Sequence, residues 1–189
     1  MGGVSKKLPR GFSGDGFLYP AYSYVRRALP LFRHSPDRRR ILHCNVTCHP
    51  TTAWVAQQLR EAFPYNSAPK YLIFDREHTF HGEVLEAMDG LGVKQVRTAI
   101  RSPWQNGVAE RWVSTCRRDL LDHVMVLNKR HLKRLMNEYV CYYHDDRTHL
   151  SLDKETPAGR KAAKARPVNT KVVSMPTLSG LHHRYDLAA

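Results

Sequence analysis

Two stretches decide the fold of this sequence: Tyr71-Leu72-Ile73-Phe74-Asp75 and Ser102-Pro103-Trp104-Gln105-Asn106-Gly107-Val108-Ala109-Glu110-Arg111. The first is an apolar run that predicts a buried strand with a carboxylate, Asp75, at its end. The second leads into a long amphipathic helix and carries Glu110 on the first turns. Although 34 residues lie between the two carboxylates, a strand end and a helix can bring them together. Paired carboxylates hold divalent cations, and such cations support phosphoryl transfer.

Each carboxylate also has a purely structural interpretation. An aspartate at a strand end often serves as a turn or cap residue. A glutamate in a first helical turn is favoured by the helix dipole alone. Taken by themselves, the two residues therefore leave a catalytic and a structural role open.

The charge of the chain indicates a polyanionic partner. Its 189 residues include 30 Lys and Arg against 17 Asp and Glu, which gives a formal net charge of +13. This excess favours nucleic-acid binding, with a merely soluble basic protein or a membrane-surface binder as alternatives. A hydrophobic fraction of 42% suits one globular domain. We expect no membrane insertion and a cytoplasmic location, because no stretch approaches ~20 apolar residues and residues 1–7 lack a secretory core.

Strands and helices alternate from residue 37 onward, which predicts an α/β fold. Apolar runs predict strands over residues 39–47, 70–74 and 93–99. Apolar stripes at helical spacing predict helices over about 51–63, 82–91, 106–124 and 129–143. The predicted core face of the third helix comprises Ala109, Val113, Cys116, Leu120 and Val124. At 100° per residue, Glu110 lies at the edge of this face.

Three motifs, in their order and spacing, resemble the catalytic core of bacterial insertion-sequence transposases of the retroviral-integrase (DDE) superfamily. They are Tyr71-Leu72-Ile73-Phe74-Asp75-Arg76, Ser102-Pro103-Trp104-Gln105-Asn106 with Glu110-Arg111, and Arg147-Thr148-His149-Leu150-Ser151-Leu152 before Thr156-Pro157. The ending Gly180-Leu181-His182-His183-Arg184-Tyr185 also resembles a common terminus of such proteins. The resemblance covers residues 37–160, about two-thirds of the chain.

This resemblance implies a ribonuclease-H-like mixed sheet flanked by helices. It further implies an Asp, Asp, Glu triad that binds two Mg²⁺ or Mn²⁺ ions, with Asp75 as the second Asp and Glu110 as the Glu. The implied reaction is cleavage and joining of DNA strands during transposition or integration. The expected partners are the DNA of the element ends and of the target, with a homo-oligomer formed on DNA.

The resemblance also implies that Gln105 and Asn106 contact the DNA, while Asn106 as the cap of the following helix is an alternative. Basic residues on the last two helices could follow DNA phosphates, or they could form an ordinary solvated face. These residues are Arg111, Arg117, Arg118, Lys129 and Arg130.

The first 36 residues do not follow the family pattern. The segment from Phe12 to Phe32 is rich in aromatic residues, but Pro20 and Pro30 interrupt it and no periodicity dominates. The nearest candidate for the first Asp of the triad is Asp15, which precedes the apolar run. If the first strands are degenerate, the strand at 39–47 loses its neighbour, and we expect marginal stability.

The sequence therefore predicts three parts. Residues 1–36 form an unassigned or degenerate N-terminal segment, residues 37–157 form the catalytic core, and residues 158–189 form a mobile basic tail without regular structure. Two functions follow: an active metal-dependent recombinase, or a catalytically inactive DNA-binding remnant of a decayed mobile element. A general nuclease of similar fold is a third.

The coding DNA offers a test of the N-terminal mismatch. Plausible codons for Gly16 through Ala21, read one base later, can encode an Asp followed by aromatic residues and a Thr. We hypothesise a frameshift whose correct reading resumes near Asp37. Translation of the upstream DNA in the adjacent frame is expected to yield a family-like first strand, and the lack of such a strand there contradicts the hypothesis.

Overall fold

The computed structural model describes residues 12–17, 29–35, 38–65, 67–74, 81–100, 102–161 and 170–188. For residues 12–17, 29–35, 74, 103, 106 and 108, only the backbone is described. The strands are β1 (Phe12–Phe17), β2 (Leu29–Ser35), β3 (Arg40–Thr47), β4 (Tyr71–Phe74), β5 (Lys94–Arg97), β6 (Val172–Thr177) and β7 (His182–Leu187). The helices are α1 (Thr52–Ala62), α2 (Glu83–Gly90), α3 (Gly107–Asp119) and α4 (Lys129–Asp145).

Five strands form one mixed sheet in the order β3-β2-β1-β4-β5. The central strand β1 runs antiparallel to β2 and parallel to β4, so that Gly14 pairs with His34 on one side and with Ile73 on the other. Strand β5 continues the parallel half of the sheet. The carboxyl ends of β1 and β4 therefore meet at the same edge of the sheet. This architecture confirms the predicted α/β fold with a mixed sheet.

The structure corrects the expectation for the N-terminal segment. Two strands, β1 and β2, lie within residues 1–36, and β2 pairs with β3 from Leu29 opposite Thr47 to Ser35 opposite Arg40. The loss of a neighbour that we expected for β3 if the first strands were degenerate does not occur. Glycines in β1 and Pro30 in β2 lower the local strand propensity, but each strand gains hydrogen-bonded neighbours on both sides. Tertiary pairing thus overrides a weak local signal.

A β-bulge in β3 directs neighbouring side chains of this strand to the helices on opposite faces of the sheet. The register against β2 shifts between Ile41 and His43, so these two residues point to opposite faces. Ile41 and Val46 are buried against α3 and α4. The His43 ring lies 2.9 Å from the buried Gln58 of α1. The bulge therefore lets one edge strand contribute to both sides of the sheet.

Two hydrophobic clusters hold the helices to the sheet. The first joins α3 and α4 to β3 around Trp112 and Tyr139, whose ring centroids lie 6.5 Å apart. The second joins α1 and α2 to Leu72 of β4. Burial of apolar surface on this scale is the main stabilising contribution to such a domain.

The predicted helices are confirmed, with boundaries moved by a few residues. Thr51 caps α1 by accepting a hydrogen bond from the Trp54 N–H at 3.2 Å. Asn128 caps α4 in the same way, with the His131 N–H at 2.8 Å. Gly92, just after α2, has a positive φ of 69°, which glycine adopts without strain. None of the described helices is long and apolar enough to cross a bilayer.

The region after Pro157 also departs from expectation. The prediction of a tail without regular structure is wrong for residues 172–187, where β6 and β7 form an antiparallel hairpin. His182 of this hairpin stacks on Tyr142 of α4 with ring centroids 4.4 Å apart. The sequence pattern missed the hairpin because contacts with distant residues hold it in place. The division of the chain at residues 36 and 157 stays a prediction, although the first boundary falls between two strands of one sheet.

Two histidines near the end of α4 support the edge strand and the following turn. The Ile41 N–H of β3 donates to His144 Nε2 at 2.8 Å. His149 is buried against Tyr143, and the two ring centroids lie 4.9 Å apart. Burial lowers the pKa of both side chains, and the charge of Arg147 helps to lower that of His149 to about 4. His149 therefore packs within the turn after α4, and His144 supports the edge strand β3.

Stability is expected to fall as the pH drops from 6.5 to about 4. Because the folded pKa of His149 lies below its unfolded value, the neutral ring stabilises the fold above pH 6.5 and protonation opposes folding below it. The loss from His149 amounts to about 3 kcal/mol across this range. Urea unfolding of the wild type and of His149→Gln at several pH values measures this loss of stability. The stability difference between the two should shrink at acid pH, and a constant difference contradicts the assignment.

Candidate active site

Glu110 lies on the first turn of α3 and is exposed to solvent. A 3₁₀ turn, Pro103–Asn106, precedes this helix, and Gly107 continues it with helical dihedral angles of −58° and −20°. The side chain of Asn106 lies outside the described part of the structure, so its roles as a DNA contact and as a helix cap both stay predictions. The chain enters α3 without a break, and this fixes the direction in which the helix presents Glu110.

The buried face of α3 matches the predicted stripe. Ala109, Cys116 and Leu120 are buried, and Trp112 joins them. Glu110 lies outside this face, so that its carboxylate is directed away from the α3–α4 core. The helix thus holds an acidic side chain in solvent on a rigidly packed support.

Gln105 anchors the segment that leads into α3. Its Oε1 accepts a hydrogen bond from the Ala99 N–H at 2.7 Å. Ala99 follows strand β5, and Gln105 lies in the turn before α3. The bond therefore ties the end of the sheet to the start of the helix that carries Glu110. Sequence reasoning assigned Gln105 to DNA contact and missed this structural role.

Of the other two predicted carboxylates, the structure describes only the backbone of Asp15 and does not describe Asp75. Asp15 lies inside the central strand β1, opposite Arg33 of β2, and not ahead of a strand as the sequence suggested. Asp75 lies outside the described residues and follows Phe74, the last residue of β4, in the sequence. Both α3 and the 3₁₀ turn before it contact β1. The strand of Asp15 and the helix of Glu110 are therefore neighbours.

Metal ligands can be assessed only among the described side chains. No group of three or more His, Cys, Asp or Glu residues occurs among them in an arrangement that could hold an ion. Of the three predicted ligands, only the side chain of Glu110 belongs to that set. The convergence of the three carboxylates on an ion therefore stays a prediction.

The predicted basic residues are all exposed. Arg111 and Arg118 lie seven positions apart on α3, and Arg117 lies 3.3 Å from Asp122 in an exposed ion pair. At 100° per residue, Arg117 lies about 20° around the α3 axis from Glu110, whereas Arg111 and Arg118 lie about 100° and 80° from it. Lys129 and Arg130 begin the next helix, α4. The α3 arginines thus add positive charge to the exposed surface of the helix that carries Glu110.

Trp104 behaves differently from the other two tryptophans. Tryptophan side chains usually pack in the core, but 73% of Trp104 is exposed. Ile100, in the same connection between β5 and α3, is 71% exposed. No periodic signal in the sequence marks this exposure, because neither residue belongs to an apolar stripe.

Comparison with known proteins finds a family model that matches part of this architecture. Residues 91–157, from the end of α2 through α4 and the turn after it, match the model of the integrase core domain family. This segment includes Glu110 and the predicted DNA contacts. The chain has an integrase catalytic-core fold. No curated protein matches the chain.

Solved integrase structures share the fold at low sequence identity. A chain of the simian T-cell lymphotropic virus intasome, solved with the B56 gamma regulatory subunit of PP2A, has a TM-score of 0.61 and 14% identity, covering 96% of this chain and 68% of that one. The HTLV-2 integrase catalytic core domain, solved in complex with magnesium as a trimeric form, has a TM-score of 0.58 and 12% identity. This match covers 80% of this chain and 95% of that chain. The BIV integrase catalytic core domain has a TM-score of 0.56 and 14% identity, and the match covers 79% of this chain and 92% of that chain.

Removal of the Gln105 side chain is expected to loosen the connection into α3 of this integrase-type core. In Gln105→Ala the Ala99 amide loses its acceptor, and hydrogen exchange at Ala99 should accelerate. The bond contributes about 1 kcal/mol, so global stability should change little. Gln57→Ala, which removes an exposed side-chain bond to Glu61 on α1, is the matched control. Unchanged exchange at Ala99 in the Gln105 variant contradicts an anchoring role.

Proposed function

We propose that this chain is the catalytic core of a bacterial DDE transposase or integrase that cleaves and joins DNA strands. The observation that carries the proposal is the contact between β1 and α3. It makes the strand of Asp15 and the helix of Glu110 neighbours in a sheet where β4, which precedes Asp75, is the parallel partner of β1. The integrase core domain match over residues 91–157 supports the same assignment.

The proposed ligands suit hard divalent cations. Asp15, Asp75 and Glu110 offer carboxylate oxygens, the donors that Mg²⁺ prefers in proteins. Glu110 is exposed and stands on the first turn of a packed helix, so its carboxylate is accessible to an ion. Two bound Mg²⁺ or Mn²⁺ ions would neutralise phosphate charge and activate the attacking oxygen. Magnesium is also present in the HTLV-2 integrase core structure.

The chain itself has to bind and orient the DNA. Phosphoryl transfer depends mainly on positioning and charge stabilisation. Arg111 and Arg118 are exposed on the helix that carries Glu110 and can pair with phosphates of the bound DNA. The exposed ring of Trp104 offers a stacking surface for a base near the site. The net charge of +13 favours DNA over other partners.

The setting of this function is part of the proposal. We assign the activity to the bacterial cytoplasm, with the protein associated with the nucleoid when bound to DNA. Joining two element ends to a target calls for more than one active core, so we propose a homo-oligomer on DNA. Integrase assemblies with similar folds include an intasome and a dimeric form of the HTLV-2 core domain.

Substitution of the proposed ligands tests the function. We expect Mg²⁺-dependent joining of an oligonucleotide to target DNA to fall at least about 100-fold in Asp15→Asn, Asp75→Asn and Glu110→Gln, because each loses a charge-stabilising group. Chelation by EDTA should abolish joining in the wild type. DNA binding by Glu110→Gln should persist, since the basic face is unchanged.

Two control variants carry substitutions on α2, away from the proposed ligands. Glu83→Gln alters an exposed glutamate in the first turn of α2, and Asp89→Asn alters an exposed aspartate in the same helix. Both should join DNA at wild-type rates. Cleavage without joining would indicate a general nuclease instead. Binding without either reaction would indicate an inactive DNA-binding remnant.

A further inference from the structure

A cavity of about 490 Å³ lies between the end of α4, the turns that follow it and the C-terminal hairpin. Tyr142 and Asp146 line it from the end of α4, and His182 and Arg184 line it from β7. The stack of Tyr142 on His182 joins the two walls. The cavity is therefore a feature of the docked hairpin, the element that sequence reasoning missed.

Three arginines of the cavity are held in place by aspartates. Arg147 Nε donates to Asp119 at 2.9 Å. Arg160 bridges Asp146 at 3.3 Å and Asp186 at 2.9 Å. Arg184 pairs with Asp186 as well. The three aspartate charges balance the three arginine charges. The pairs also fix the guanidinium groups in the absence of a ligand, which lowers the entropic cost of binding an anion.

Two lysines add positive charge that no ion pair balances in the part of the chain that the structure describes. Lys154 and Lys161 line the cavity and are exposed. Among the described residues, neither takes part in an ion pair. The Thr148 hydroxyl also lines the cavity and can donate a hydrogen bond. A surplus of two positive charges beside fixed guanidinium groups suits a phosphate group.

The cavity is separate from the candidate active site. Asp119 follows Glu110 by nine residues on α3, which places it about 13 Å further along the helix axis and half a turn around it. The cavity thus opens on the opposite side of α3 from Glu110. A phosphate bound here cannot be the phosphate that undergoes reaction at the carboxylates.

We propose that this cavity binds a phosphate group of a DNA strand outside the segment held at the carboxylate site. The identity of the ligand as DNA rests on the proposed function, whereas the preference for phosphate rests on the charges of the cavity. Such a contact fixes the position of the DNA without reading its sequence. It also makes the C-terminal hairpin part of the DNA-binding surface.

The salt dependence of DNA binding tests this site. Fluorescence anisotropy with a short labelled duplex should show weaker binding by the double variant Lys154→Ala, Lys161→Ala. The slope of log K against log salt should fall by about one, the value for one lost phosphate contact. The matched control is Lys70→Ala, Lys94→Ala, which removes two lysines at the starts of β4 and β5 and should leave the slope unchanged. Thermal melting checks that both variants fold.

Each outcome decides the proposal. An equal change in both double variants overturns it, because the lysines then act only through net charge. Binding of inorganic phosphate with the same lysine dependence and no weaker affinity than DNA overturns the assignment to a DNA strand. The anisotropy measurement is made without a divalent cation, so that no strand reaction accompanies binding. The site is thereby measured independently of catalysis, and an absence of strand joining leaves this result unaffected.

Discussion

The parallel pairing of β1 with β4 is the constraint on which the rest of the structure depends. It brings the carboxyl ends of two strands to one edge of the sheet, with Gly14 opposite Ile73. Helix α3, whose first turn carries Glu110, contacts β1. Without this pairing, Asp15 and the end of β4 would have no reason to be close. The candidate active site is therefore a product of sheet topology more than of any local motif.

A second constraint holds α3 at its far end. The Asp119 carboxylate accepts hydrogen bonds from the Tyr139 hydroxyl at 3.1 Å and from Arg147 at 2.9 Å. The Asp119 carbonyl lies 2.7 Å from the His182 ring. One residue thus links α3 to α4, to the turn after α4 and to the hairpin. Because Gln105 anchors the other end, α3 is fixed at both termini, as precise placement of a catalytic carboxylate requires.

The sequence predicted the elements whose signal is local and strong. Helices α1 to α4 have clear apolar stripes and β4 is an apolar run, so their type and approximate extent follow from the sequence pattern. The alternation with these helices indicates β3 and β5. Strands β1 and β2 were missed because glycines and Pro30 weaken the pattern, while their pairing partners lie elsewhere in the chain. The hairpin β6–β7 was missed for a similar reason, since Arg160 and Tyr142 hold it from a distance.

The residue types of the candidate site could be predicted from the sequence, but the contacts that hold these residues in place could not. Glu110 could be placed on a helix from spacing alone, and its exposed position agrees with that placement. The bond from Gln105 to Ala99 could not be predicted, because it depends on how a loop folds back on β5. The exposure of Trp104 was likewise hidden, since a tryptophan in a loop gives no periodic signal.

The most direct test of the central claim is structural. Crystals grown with Mn²⁺ should show an anomalous peak coordinated by oxygens of both Asp75 and Glu110, with Asp15 in the same cluster. Such a peak would demonstrate that two carboxylates far apart in sequence share a cation at the carboxyl ends of β1 and β4. Electron density that places the Asp75 and Glu110 oxygens on opposite sides of the sheet would contradict the account.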